Sequence, residues 1–243
     1  MRKHCYWLWI ACCAPIFLAQ LEAMAQDRQV LPASAARTKP QSEAVDIRDF
    51  EVRVDNKPTG THRLAIKSVD GMERVEYATD VKVDVIVYAY VFKFRGVENW
   101  RDGRVEDADI KCEDGGKKRS FELKSEGAIQ QMSFNGKSLP AAARVAMTTA
   151  YWHLPSAEVR AKSFPIADVD TGATKTATFQ LIGPDEVPCG TRSVACQHYK
   201  IDGPSPADLW FDEQGRLVRQ KSVEHGHQME LRLKQMRLSK DGN

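Results

Sequence analysis

The sequence predicts a mainly β protein, a curved antiparallel sheet or open β-barrel of about ten strands with one short helical segment. Three observations carry this. Apolar and polar residues alternate over long runs, most plainly where Val75, Tyr77, Thr79, Val81, Val83 and Val85 interleave with Glu76, Ala78, Asp80, Lys82 and Asp84. That period of two marks a strand with one face in a core and the other in water. The runs are rich in β-branched and aromatic residues, and turn-forming pairs separate them at regular spacing.

Residues 1–25 read as a targeting segment. Arg2 and Lys3 precede an apolar run from Cys5 to Ala19, and Ala23-Met24-Ala25 supplies the small-x-small pattern of a signal-peptidase site. The expectation is an exported protein of the periplasm or beyond, with no later stretch apolar enough to cross a membrane as a helix. Residues 26–46 hold Pro32, Pro40 and scattered small and charged residues, and read as a flexible leader. Residues 47–240 are then a single β-rich domain. Without Arg2, Lys3 and Glu22 the chain carries 33 basic and 32 acidic residues, a balance that gives no reason to expect a nucleic-acid partner.

Three cysteines follow the targeting segment. Cys189 and Cys196 bracket a short segment with Gly190, and in an oxidising compartment a bridge between them is expected. Cys112 shares its parity with Ala108 and Ile110 and reads as a small core residue.

The domain begins with Phe50, Val52 and Val54 alternating with charged residues. Asn56 to Gly60 is turn chemistry, Leu64 and Ile66 mark the return, and Asp70-Gly71 leads into the Val75 strand. The phase slips near Val85 and Ile86, after which Ile86, Tyr88, Tyr90, Phe92 and Phe94 share a face; a bulge, bend or turn is expected there. Asp102-Gly103, Gly115-Gly116 and Asn135-Gly136 turn the chain again. The alanine-rich patch Ala141–Ala146 follows Pro140 and predicts a short helix or an irregular crossing. Further strands carry Ala177, Phe179 and Leu181, then Tyr199 and Ile201, then Asp208–Asp212 and Arg216–Val223. In the last strand Met229, Leu231 and Leu233 give way to the other parity at Met236, which predicts a bulge at Lys234 and Gln235.

Several short pieces, in order, resemble a known family. Phe50-x-Val52, Pro58-Thr59-Gly60-Thr61-His62-Arg63, Tyr88-x-Tyr90 and Glu98-x-Trp100-x-x-Gly103-Arg104 come first. Thr148-Thr149-Ala150-Tyr151-Trp152-His153, Tyr199-x-Ile201-x-Gly203 and Asp208-Leu209-Trp210-Phe211-Asp212-x-x-Gly215-Arg216 follow. Together they span most of residues 48–232 and resemble the exported bacterial DUF6134 proteins. That group is similar to the DUF3108 proteins and, more distantly, to LolA-like periplasmic carriers. The resemblance implies a half-open barrel and an envelope location, and brings no catalytic residues with it.

The residues offer no catalytic or metal motif of their own. His225 and His227 flank Gly226, where a turn is expected; Asp208 and Asp212 share a parity around Trp210 and read as solvated strand ends. No cofactor is implied. The aromatic set is the better clue. Tyr88, Tyr90, Phe92, Trp100, Trp152 and Trp210 are the candidate ligand-lining residues, because Tyr and Trp combine an apolar body with a polar tip. The reading is a monomeric, non-enzymatic carrier for an apolar, lipid-like molecule. One alternative is an envelope hydrolase using His153 or His62 with a carboxylate such as Glu98; another is an interaction module for an envelope protein partner.

Overall fold

In a computed structural model of the chain, residues 44–85, 88–140 and 142–240 are described, and all fall in one compact unit. The targeting segment and the leader as far as residue 43 lie outside them. Seven strands open the fold as an antiparallel meander: β1 (Ala44–Val54), β2 (Lys57–Val69), β3 (Met72–Val85), β4 (Tyr88–Arg101), β5 (Arg104–Asp114), β6 (Lys117–Glu126) and β7 (Ile129–Phe134). A crossing segment follows, with β8 (Lys137–Ser138), β9 (Ala142–Ala143), β10 (Met147–Thr148), helix α1 (Ala157–Arg160) and β11 (Phe164–Ala167). A second meander completes it: β12 (Thr174–Cys189), β13 (Arg192–Asp202), β14 (Ala207–Phe211), β15 (Leu217–Glu224) and β16 (His227–Lys240). No described helix is long and apolar enough to cross a membrane.

The two meanders join where β1 pairs with β16, giving one curved, unclosed sheet of sixteen strands. The count exceeds the expected ten because the phase slip after Val85 is a chain reversal. Val85 pairs with Tyr88, so one long alternating run is two strands of a hairpin. The crossing segment adds four more, each of two to four residues.

The alanine-rich patch takes the irregular course and the helix lies later, where Ser156 Oγ accepts from the Val159 amide as a cap. A helix confined to so few alanines cannot repay its nucleation. Here the alternative partners are at hand: Val145 N donates to Gln130 Oε1 at 2.7 Å and Ala146 N to Pro165 O at 2.9 Å.

The expected bulge in β16 is present. Asp49 pairs with Gln235 and Phe50 with Leu233, leaving Lys234 as the extra residue. Gly60 shows why that position has no side chain: a Cβ there would lie 2.0 Å from the Asp80 carbonyl oxygen.

The disulfide expected between Cys189 and Cys196 is not made; both cysteines are free. Cys189 pairs with Arg192 at the hairpin end, whereas Cys196 sits opposite Asp185, four residues further along. That offset is about 13 Å along a strand, beyond the roughly 7 Å that a disulfide tolerates between Cα atoms. Cys112 is buried as expected.

Candidate functional site

The inner face of β1–β4 is built in layers set by register. Phe50, His62, Thr79 and Phe94 lie side by side on adjacent strands, and Leu64, Tyr77 and Gly96 form the layer beneath. Val81 and Phe92 form the layer above, with Asp114 beside Phe92 on β5. The lower layers are filled. Trp100 is 1 % exposed and meets the Trp152 ring edge-on at 5.5 Å and the His153 ring at 4.8 Å. The upper layers are not filled, and a cavity of about 660 Å3 opens there toward one end of the sheet.

Its walls are apolar: Val52, Leu64, Val81, Phe92, Phe94 and Leu231 are among them. Its mouth is polar. Asp114 and Arg119 from β5 and β6, Asp170 from the turn after β11, Glu224 from the end of β15 and His225 from the β15–β16 turn converge on it. Tyr90 donates its hydroxyl to Asp114 Oδ1 at 2.5 Å, and Arg119 donates to Asp114 Oδ2 at 2.9 Å. These two bonds outweigh partial burial and hold the Asp114 carboxyl below its ordinary range. Asp170 goes the other way. Desolvation, reinforced by the charges of Asp168 and Glu224, pushes it up to about 6, although part of the residue reaches solvent. Arg119 is thus committed to Asp114, while Asp170 and Glu224 leave the mouth with an acidic bias.

His62 is the polar feature of the wall. It is 9 % exposed, its Nδ1 lies 2.7 Å from Thr79 Oγ1, and burial lowers its pKa to about 4, so the ring is neutral at pH 7. Whichever tautomer it adopts, Nε2 has no protein partner among the described residues.

Beneath the cavity, Glu98 is wholly buried and accepts three hydrogen bonds. Tyr77 and the Trp100 indole donate to Oε2, each at 2.8 Å, and Thr148 donates to Oε1 at 2.5 Å. Burial raises its pKa and the three donors oppose that rise. Through Thr148 this carboxyl ties the crossing segment to the sheet. Arg48 does the same from β1, donating to the Trp152 carbonyl at 2.9 Å while paired with Asp46. His153 is pinned by backbone pairing to Arg216, and burial, with the Arg48 charge, lowers its pKa to about 4.

Of the six aromatic candidates, Tyr90 and Phe92 line the cavity. Tyr88 opens β4, but its side chain lies outside the described residues. Trp100 and Trp152 are packed in the floor region, and Trp210 is held by charged neighbours: its indole donates to Asp185 at 2.7 Å, His198 stacks on it at 4.2 Å and Arg219 covers it at 4.8 Å. Those three are not lining residues. The pairing considered for a hydrolase is not assembled among the described residues: Glu98 accepts from Tyr77, Trp100 and Thr148, His62 bonds Thr79, and the buried His153 Nδ1 has no partner. Asp208 and Asp212 do not act together either, since Asp208 bonds His198 and Asp212 binds Arg216 and its turn. His225 and Gly226 both take positive φ in the β15–β16 turn, and His227 reaches Asp55 instead. Asp114 and Asp170 escape a sequence reading because they sit at turns, where alternation ends, and Arg119 because it lies near the start of β6 opposite Cys112. Thr79 carried a signal: it is the aliphatic hydroxyl among Val75, Tyr77, Val81 and Val83 on one alternating face.

Residues 50–234 match the model of a domain of unknown function, DUF6134. The chain belongs to this family. Among solved structures, the DUF6134 fold is similar to a crystal structure of a beta-barrel-like protein of domain of unknown function DUF1849 from Brucella abortus. The TM-score is 0.58 at 11 % identity, covering 82 % of this chain and 98 % of that one. At that identity the likeness is one of fold. No curated protein matches the sequence.

Proposed function

We propose that this DUF6134 protein is an exported, non-enzymatic binding or carrier protein that holds an apolar, lipid-like molecule in the cavity at the open end of its sheet. The observation that carries the reading is the cavity itself. Its volume of about 660 Å3 falls within the roughly 300–1,000 Å3 typical of small-molecule sites, with apolar walls and a few polar groups at defined places. A sheet that fills one end with tryptophans and leaves the other empty forgoes dispersion contacts there, and a ligand would restore them. The targeting pattern of residues 1–25 supports an envelope or extracellular setting. Tyr90 and Phe92 border that cavity, which supports them as the ligand-contacting members of the aromatic set.

The test is native mass spectrometry of the mature protein purified gently from its own host. The expected result is a bound species of a few hundred daltons that denaturation releases. Bare polypeptide, even after incubation with host lipid extract, would remove the reading.

A further inference from the structure

We propose that the cavity selects an amphiphile of a particular kind: one whose apolar body carries a hydrogen-bonding group where it passes His62, and whose outer end is uncharged or cationic. This rests on the carrier reading and goes further by naming the ligand's chemistry.

His62 sets the requirement inside the cavity. An imidazole that is nine-tenths buried, with Nδ1 committed to Thr79 and Nε2 left over, lies in a wall of Val52, Leu64, Val81 and Phe94. A purely hydrocarbon ligand would cover that nitrogen and leave it unsatisfied, which makes such a ligand bind less well than one bearing a hydroxyl or carbonyl there. The register gives the depth. His62 shares its layer with Phe94, one inward-facing step below Phe92 and Asp114 at the mouth. One step of two residues is about 7 Å, so the group belongs part-way along the ligand and not at its end.

The mouth sets the requirement at the outer end. Asp114, Asp170 and Glu224 face Arg119 and His225 around the opening, and Arg119 is bound to Asp114. Glu224 receives the Ser222 hydroxyl at 3.2 Å, and no lysine is among the described lining residues. A carboxylate or phosphate entering there meets three carboxylates against a single guanidinium among the described lining residues, itself paired with Asp114, whereas an ammonium or hydroxyl meets acceptors.

The experiment is a calorimetric comparison of dodecylamine, dodecanol and dodecanoate on the mature protein, together with a dodecanediol hydroxylated at mid-chain. Dodecylamine and dodecanol are expected to bind about tenfold or more tightly than dodecanoate, and an Asp170→Asn, Glu224→Gln double variant to narrow that gap. The diol is expected to gain about fivefold over dodecanol in the native protein and nothing in His62→Phe, where dodecanol itself binds somewhat better because no unsatisfied nitrogen is covered; a cooperative thermal unfolding transition shows the variant to be folded. In His62→Gln, part of the gain should return. Equal affinity for dodecanoate and dodecylamine would overturn the selection at the mouth, and a diol gain that survives in His62→Phe would overturn the role of His62. Binding of none of the four would remove the carrier reading beneath both.

Discussion

The two ends of the same strands make the instructive comparison. On β4, Phe92 and Phe94 border empty space, and six residues further on Trp100 is 1 % exposed. Both ends follow the same alternation and face the same way. What differs is the crossing segment, which packs Trp152 edge-on against Trp100 at one end, whereas at the Phe92 end its Thr149, Ala150 and Tyr151 border the cavity. The lesson is that a curved sheet presents apolar surface along its whole length, and an irregular strap decides which part becomes core and which part becomes cavity.

The strongest way to break this comparison is to release the strap. Glu98→Ala removes the acceptor of three buried donors, on Tyr77, Trp100 and Thr148. At about 1–3 kcal/mol per stranded donor the variant should lose roughly 4 kcal/mol or more, read as a lowered midpoint in urea unfolding. A loss under about 1 kcal/mol would mean that Glu98 does not hold the floor.

Acid should act next. His62 and His153 each have a folded pKa of about 4, against about 6.5 when unfolded. Between those values the unfolded chain takes up protons that the folded chain refuses, so stability falls as pH falls from about 6.5 to 4, by at most about 3 kcal/mol per histidine. Glu98 and Asp170, whose folded pKa values are raised, take up protons first when folded and oppose the loss in part. Thermal unfolding across that window should show the decline, and His62→Phe should flatten it; an unchanged slope would show that the cavity wall does not hold its histidine neutral.

The smallest effect on stability belongs to the cavity wall. Phe92 is half-buried beside space that is already empty, so Phe92→Ala should cost only about 1 kcal/mol, well below the 3–5 kcal/mol of a packed phenylalanine. Ligand affinity should nonetheless drop about tenfold. A large stability loss with unchanged affinity would reverse the roles assigned to the two ends.

Much of the sheet was legible because alternation and turn chemistry are local. The hairpins at Asp70-Gly71, Asp102-Gly103 and Asn135-Gly136 and the bulge near Lys234 are where the residues put them. The site was less legible, because a period of two says which residues share a face but not what lies opposite that face. Tyr90, Phe92 and Trp100 share one parity on β4, yet only the first two border the cavity. Trp210 carried a usable signal: it shares its parity with Asp208, between Leu209 and Phe211, both 0 % exposed, which turns it toward charged neighbours. The strap has no period at all, since its hydrogen bonds go to Gln130, Glu98 and Arg48 on distant strands.

The pairing of β1 with β16 bears on how the molecule is made. The first and last described strands meet in the middle of the sheet, joining Ala44 to Lys240 and Val54 to Met229. Each meander can zip locally, hairpin by hairpin, but the seam between them closes only once the last strand has been synthesised. Loop closure over nearly the whole chain makes that step slow, and until it happens two long strand edges stand open to wrong partners. Closing the seam therefore waits on β16, and loss of β16 alone would leave the two meanders without their join.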